Sequence, residues 1–348
     1  MVTKSPEQLK NLGRRVMRSA GASAEVAECV VDHLVQANLV GVDSHGIMRL
    51  PDYAGWLIDG RASGDDRMHV ISDGGATCLI DAEFTYGPVA ASKACKIAID
   101  KSRQFGAGLV SVRHATHIGR LGHYAEDLAE AGHIGFVCCQ AGGAGQFVAP
   151  WGGREGRLTT NPLAWGFPSA RDDGALVMDL ATSAAPEGTI RLAQRRGETI
   201  PTGWIIDAEG RPSTNPADLH GPPPGAILPF GEHKGYAMAL VAEALSGALT
   251  GGGCCRPTNE TYTHVCNFFL MATRVDAYMP LDSFTRDLDA MLAYVKSSKP
   301  TKEDESVRVP YELEARLRRR RAAEGITIDD TSWQRIADLA DRMGIELD

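Results

Sequence analysis

Apolar residues recur at helical spacing over residues 6–40: Leu9, Leu12 and Val16, then Val26, Val30 and Leu34. The run breaks at Gly21-Ala22-Ser23, and Ser23 followed by Glu25 marks the start of a second helix. That helix runs into Leu39-Val40, with Gly41 as its stop signal. The pattern predicts a helix over 47–58, two short strands within 70–81 around the turn Asp73-Gly74-Gly75, and a long helix over 87–105. Strands are expected at 108–112, 134–139, 177–180 and 268–275. Helices are expected at 122–131, 235–249, 285–297, 313–323 and 332–343. Residues 197–229, rich in Pro, Gly and Asp, predict a loop region with one strand at 203–207, and 299–306 reads as a charged linker.

Strands and helices alternate irregularly, which predicts an α/β class with α+β character. No internal repeat or low-complexity tract is present. No G-x-G-x-x-G follows a strand, Gly142-Gly143-Ala144-Gly145 has the wrong spacing, and a Walker loop is absent. The pattern alone therefore says little about nucleotide binding.

Composition narrows the class. The chain has 348 residues, 43% of them hydrophobic and 23% charged, which suits a soluble protein with a sizeable core. A net charge of −8 and no basic stripe argue against a nucleic-acid surface. The one dense basic run, Arg316 and Arg318 to Arg321, lies near Glu312, Glu314 and Glu324 and reads as a solvated helix face. The first ten residues are polar, unlike a signal peptide, and no apolar run reaches the ~18 residues of a membrane span. Eight cysteines, two pairs of them adjacent (Cys138-Cys139 and Cys254-Cys255), fit reduced thiols in cytoplasm better than a disulfide framework.

Four clusters carry candidate chemistry. Asp43-Ser44-His45-Gly46 with Arg49 and Tyr53 lies between two helices; on one helix, His45, Arg49 and Tyr53 would share a face. A histidine beside an arginine suits reduction of a 2-oxo acid: the fork holds a carboxylate and the imidazole moves a proton. The plainer alternative is a helix cap beside a surface histidine. The segment His114 to His123 follows a strand, and His114, His117 and His123 suggest either catalysis or a metal; Gly119 and Gly122 disturb the helical spacing a zinc site would use. Thr159-Thr160-Asn161-Pro162 and Met178 to Ser183 place Asp179 at a strand end, where it either supports a histidine or caps a turn. Pro229 to Tyr236 opens a helix with His233 and Lys234, either an anion site with free backbone N–H groups or a simple cap.

Together these segments resemble the type 2 malate/L-lactate dehydrogenases, a family that includes ureidoglycolate dehydrogenase, sulfolactate dehydrogenase and piperideine-2-carboxylate reductase. The resemblance covers nearly the whole chain, from ANLVGVDSHGIMRLP through HIGRLGHYAE, TNPLAWGFP, MDLATS, IPTGWIIDAEGRPSTNP and LPFGEHKGY to VRVP. It implies a large mixed, mainly antiparallel sheet with a non-Rossmann nucleotide-binding domain (76–284). It also implies a helical domain built from both termini (1–75 with 285–348) and a homodimer. It implies NAD or NADP as cofactor and a small 2-hydroxy or 2-oxo acid as substrate, with no nucleic acid, membrane or metal involved. His117 matches a proton donor or acceptor, and Ser44 and His45 match a pair with a catalytic role in the imine-reducing members, with Asp179 as supporting carboxylate. Arg49 matches the substrate-carboxylate residue, with Tyr53 and Thr160 on the substrate side. Gln140, Thr160, Asp179, Leu180, Ala181, His233 and Lys234 match cofactor-contacting segments.

Three positions depart from the pattern. Glu232 stands beside Lys234 where a small residue is common, which disfavours an extra phosphate and favours NAD over NADP. Thr160 replaces a frequent glycine, and Tyr311 follows Pro310 where a glycine often opens a turn. Alternatives are reduction of a cyclic 2-imino acid, a ureidoglycolate dehydrogenase, a zinc hydrolase, and a catalytically silent nucleotide-binding protein.

Overall fold

The computed structural model describes residues 1–142, 145–256, 265–302 and 305–347. The chain opens with β1 (Val2–Lys4) and then two capped helices. Ser5 accepts from the Gln8 N–H while the Gln8 side chain bonds back to the Ser5 N–H, starting α1 (Pro6–Ser19). Ser23 accepts from the Val26 N–H and starts α2 (Ala24–Leu39). There follow α3 (Leu50–Ile58), β2 (His69–Asp73), β3 (Thr77–Asp81), α4 (Gly87–Phe105), β4 (Ala107–Thr116), α5 (Leu121–Glu130), β5 (His133–Ala141), β6 (Leu163–Phe167) and β7 (Leu176–Leu180). The second half holds α6 (Glu187–Arg196), β8 (Ile205–Ile206), β9 (Pro212–Ser213), β10 (Ala226–Ile227), α7 (His233–Ala242), β11 (Val265–Arg274), α8 (Leu281–Lys296), α9 (Glu312–Glu324), β12 (Ile326–Ile328) and α10 (Asp330–Arg342).

Seven strands form one mixed sheet in the order β2-β3-β4-β11-β5-β6-β7. Only β3 and β4 run parallel; the other neighbours are antiparallel. Its first core contains Val110, Val112, Val137, Phe268 and Leu270 against the small residues Ala90, Ala91, Ala94 and Ala98 of α4. Small side chains let that helix lie close to the sheet, and each fully buried Val, Leu or Phe contributes roughly 1.5–3 kcal/mol. A second core joins the two ends of the chain: Leu9, Leu34 and Tyr53 pack with Ile326, Ile336 and Leu339. The pairing of β1 with β12 ties the same ends together.

The helical pair, the hairpin at 69–81, α4 and the closing helices stand where the periodicity places them. Four expectations change. Residues 47–58 are not one helix: a 3-10 turn at Ile47–Arg49 precedes α3. β6 and α6 were not expected: β6 is five residues interrupted by Gly166, too short to establish alternation, and α6 (EGTIRLAQRR) offers few apolar positions. The loop region 197–229 contains a three-stranded sheet of two-residue strands, β10-β8-β9, rather than a single strand. The basic run of α9 is not merely a solvated face, because Arg318, Arg319 and Arg321 reach Glu126, Asp173 and Asp43. Part of the expected linker and of the 142–145 glycine run lies outside the described residues. Among the described residues, no helix is long and apolar enough to cross a membrane.

Candidate active site

The first wall of the site is the turn between α2 and α3. Gly41 ends α2 at φ 85°, and a 3-10 turn follows at Asp43–His45. Gly46 then reverses the chain against α2; a Cβ there would lie 2.3 Å from Asn38 Oδ1, so only glycine fits. The buried Asn38 holds both sides of the turn, donating to Asp43 Oδ1 (2.6 Å) and accepting from the Ile47 N–H (2.7 Å). Arg321 of α9 adds a two-pronged bond to Asp43, at 2.7 and 3.0 Å. Ser44 Oγ lies 3.0 Å from His45 Nδ1, and Arg49 Nε donates to the Ser44 carbonyl at 2.8 Å. His45, Arg49 and Tyr53 therefore converge, but across a turn, a reversal and a helix rather than along one helical face.

The second wall is the end of β4. His117 leaves the strand and stacks on His45, ring centroids 5.4 Å apart and planes at 27°. The buried Tyr53 hydroxyl lies 2.7 Å from His117 Nδ1. The same hydroxyl also reaches the His117 carbonyl, at 3.4 Å. Burial, then the neighbouring Arg49 and Arg120 charges, lowers His45 to about 4. Burial, then His45 and Arg49, holds His117 well below the usual histidine range. Both rings are thus neutral at pH 7, while burial keeps Tyr53 a protonated phenol.

The third wall is the end of β7. Asp179 Oδ2 accepts from the Gly122 N–H at 2.8 Å and lies 3.8 Å from Arg120 Nε. Burial raises its pKa, opposed by Arg120 and the Gly122 N–H. Among the described residues no histidine bonds to Asp179; its partners are an arginine and a backbone amide, which corrects the expected histidine support. Arg120, 3% exposed, is fixed through its own N–H to His33 Nε2 at 2.9 Å. Gly119 makes that approach possible: at φ 80°, a Cβ would sit 2.1 Å from His33 Nε2. A pocket of about 290 Å³ opens here between Val42, Arg120, Met178, Asp179, Arg308 and Tyr311. Tyr311 itself stands at φ 77°, a left-handed conformation costing about 1–2 kcal/mol for a side chain of this kind.

The segments expected to hold a cofactor are continuous with this wall. The Thr160 carbonyl accepts from both the N–H and hydroxyl of Thr182, just after Leu180 and Ala181. The Thr182 carbonyl accepts from Phe230 N–H, which brings the turn before His233 and Lys234 alongside. Of the N–H groups expected free at this helix start, those of Lys234, Gly235 and Tyr236 donate to Gly231, Phe230 and Glu232. What remains is the exposed Lys234 ammonium, which has no ion pair among the described residues. Gln140 is fully buried, donating to the Gly253 carbonyl at 2.7 Å with Oε1 unpartnered. The three histidines considered for a metal diverge: His114 turns to Asp81, His117 to Tyr53 and His123 to Asp127. Among the described residues no group of three or more His, Cys, Asp or Glu is arranged to hold an ion.

Residues 4–337 match the model of the malate/L-lactate dehydrogenase family. The chain belongs to this family. It is 35% identical over 344 residues to hydroxycarboxylate dehydrogenase B of Escherichia coli O157:H7, spanning 97% of this chain and 94% of that protein. The solved malate dehydrogenase of Pyrococcus horikoshii OT3 superposes with a TM-score of 0.88 at 32% identity, over 99% of this chain and 96% of that one. The delta1-piperideine-2-carboxylate reductase of Pseudomonas syringae pv. tomato superposes with a TM-score of 0.84 at 30% identity, over 98% and 100%. The resemblance carried by the motifs holds, and as a family member this dehydrogenase is an oxidoreductase acting on hydroxy acids.

Three residues of the dehydrogenase site escaped the sequence reading. Arg120 sits inside the histidine-rich segment, where attention falls on the imidazoles; an arginine between two glycines was the available signal. Arg321 was hidden in the basic run, and Glu126 in an ordinary amphipathic helix. All three act on partners about 60 or more residues away or on another helix, which no local pattern reports.

Proposed function

We propose that this dehydrogenase interconverts a small 2-hydroxy acid and its 2-oxo acid with a nicotinamide cofactor, on a nucleotide-binding domain that lacks the Rossmann fingerprint. The carrying observation is the stacked, neutral His45–His117 pair beside Arg49. Arg49 binds the substrate carboxylate, and its charge is one reason both rings stay neutral. Carboxylate binding offsets that charge, so protonation of the pair becomes easier when substrate arrives. In oxidation one imidazole takes the hydroxyl proton; in reduction it returns it, worth roughly 10²–10⁴-fold. Tyr53 orients His117 and Ser44 orients His45.

The residues present fit a nicotinamide cofactor. A 290 Å³ pocket beside Asp179 adjoins the Thr160, Leu180 and Ala181 segment, and the exposed Lys234 is available for a phosphate. When bound, the nicotinamide supplies or accepts the hydride at the substrate's second carbon. Glu232, exposed beside Lys234, favours NAD over NADP. Exposed Met238, Val241 and Leu249 after Lys234, with Tyr278 and Tyr294, support a homodimer. The eight free thiols suit the cytoplasm. The core that joins the two chain ends favours two domains, 1–75 with 285–348 and 76–284, although β2 pairs into the sheet of the second.

A second reading is reduction of a cyclic 2-imino acid, favoured by the likeness to the Pseudomonas reductase. Both substrates place a carboxylate next to an sp² carbon. The deciding experiment offers pyruvate, oxaloacetate and piperideine-2-carboxylate with NADH and NADPH, and ureidoglycolate with the oxidised cofactors. Turnover of a 2-oxo acid supports the proposal, and turnover of only the imine moves it to the second reading. Tight NADH binding without turnover of any substrate overturns both in favour of a silent nucleotide-binding protein.

A further inference from the structure

Behind the pocket wall lies a buried knot that the chemistry above does not use. The Tyr311 hydroxyl donates to Glu126 Oε2 and accepts from Arg120 Nη2 at 3.1 Å and from Arg318 Nη2 at 2.7 Å. A phenol has one proton and two acceptor sites, so all three are committed. Arg318 grips Glu126 with both prongs, at 2.7 and 2.6 Å. That pairing satisfies the Glu126 charge and leaves the charge of Arg120 for Asp179, 3.8 Å away on the pocket side. Both guanidinium groups also lie over the Tyr311 ring, at 5.4 and 5.7 Å. Glycine would adopt φ 77° freely, whereas this position carries a large side chain, 5% exposed, whose hydroxyl joins three charged groups.

We propose that Tyr311 is a positioning residue, which clamps Arg120 against the Asp179 carboxylate and so sets the charge pairing of the pocket wall. The inference rests on the proposed function for the importance of Asp179, but the clamp itself does not depend on it. The groups that face this wall are Arg120 and the Gly122 N–H on Asp179, Arg308 and Glu314 across the pocket, and Glu126 and Arg318 behind Tyr311. Freed from the Tyr311 hydroxyl, Arg120 loses the bond that fixes its Nη2, its contact with Asp179 loosens, and the part-exposed carboxylate holds its proton to higher pH.

The test is Tyr311→Phe, which keeps the ring and removes only the hydroxyl. The readout is the protonated-carboxyl infrared band of Asp179, identified by its loss in Asp179→Asn and titrated against pH in the full-length protein. The expected result is an upward move of about one pH unit in the Asp179 midpoint. The acid limb of kcat/KM should move the same way, with kcat/KM lowered roughly tenfold near that limb. Arg120→Lys, which keeps the charge but cannot reach both partners, is expected to shift the band in the same direction. It decides the matter should Tyr311→Phe fail to fold. An unmoved Asp179 midpoint in a folded variant overturns the clamp. A moved midpoint without turnover of any tested acid leaves the clamp standing and overturns the proposed function instead.

Discussion

Two polar clusters, one at the turn between α2 and α3 and one behind Tyr311, are built on opposite terms. In the His45–His117 pair each ring uses one nitrogen, on Ser44 and Tyr53, and among the described residues no partner is bonded to the other. In the Tyr311 knot the phenol, Glu126 and the paired prongs of Arg318 are mutually satisfied. The first is stable only because its members are neutral; the second consists of charges that burial would penalise if separated. A group that must exchange protons needs a free nitrogen, whereas the knot is held by paired charges, with Arg120 Nη1 and Arg318 Nε buried and unpartnered among the described residues. The difference separates chemistry from support more clearly than burial does, since both clusters are largely out of solvent.

The comparison breaks first at the histidines. Replacing His117 by alanine is expected to lower kcat/KM by roughly 10²–10⁴-fold while the thermal midpoint moves little. His45→Ala should do the same if the pair acts together. Near-normal steady-state kinetics for both variants would remove the pair from the mechanism. In the knot the larger effect is on stability. Glu126→Gln leaves the part-buried Arg318 without its counter-charge and should cost about 1–3 kcal/mol in urea unfolding. A loss below about 1 kcal/mol would mean that solvent already screens the pair.

Acid sharpens the contrast. His45 and His123 are lowered to about 4 by burial first, and His33 and His117 well below the ordinary value for the same first reason. A histidine that is neutral when folded takes up a proton on unfolding below its ordinary value of about 6.5. Its contribution is therefore fully present above pH 6.5 and is lost as pH falls toward 4. Folding free energy should drop by roughly 1–3 kcal/mol across that window. His45→Gln should flatten the slope, and a slope unchanged by that substitution would show that this ring is not held neutral. The smallest effect belongs to Tyr53→Phe, which removes the bond to His117 Nδ1 and keeps the packing. About a tenfold loss in kcat is expected, with KM nearly unchanged; a change confined to KM would place Tyr53 on the substrate instead.

Much of this molecule was legible locally. Helical spacing placed α1, α2, α4 and α10, and Ser23 and Gly41 marked real ends, because amphipathic periodicity and capping are short-range properties. Ser44, His45, Arg49 and His117 could be singled out by residue type and neighbourhood. Their stacking could not, because it joins a turn between helices to the end of a strand. Asp179 was singled out at its strand end, yet its partner is Arg120 and not an imidazole, since strand ends meet across the sheet in an order the sequence does not announce.

The residues by themselves determined the local alphabet: where the chain bends, which faces are apolar, and which side chains have chemistry to offer. Glycines at 41, 46 and 119 already carried the permission for the sharp turns and the close approach to His33. Only the tertiary structure decided what each polar group does. β11, late in the chain, inserts between β4 and β5, and α9 returns to grip Asp43 and Glu126. Protonation and charge pairing depend on distance and desolvation, and both are set by contacts between segments far apart in sequence.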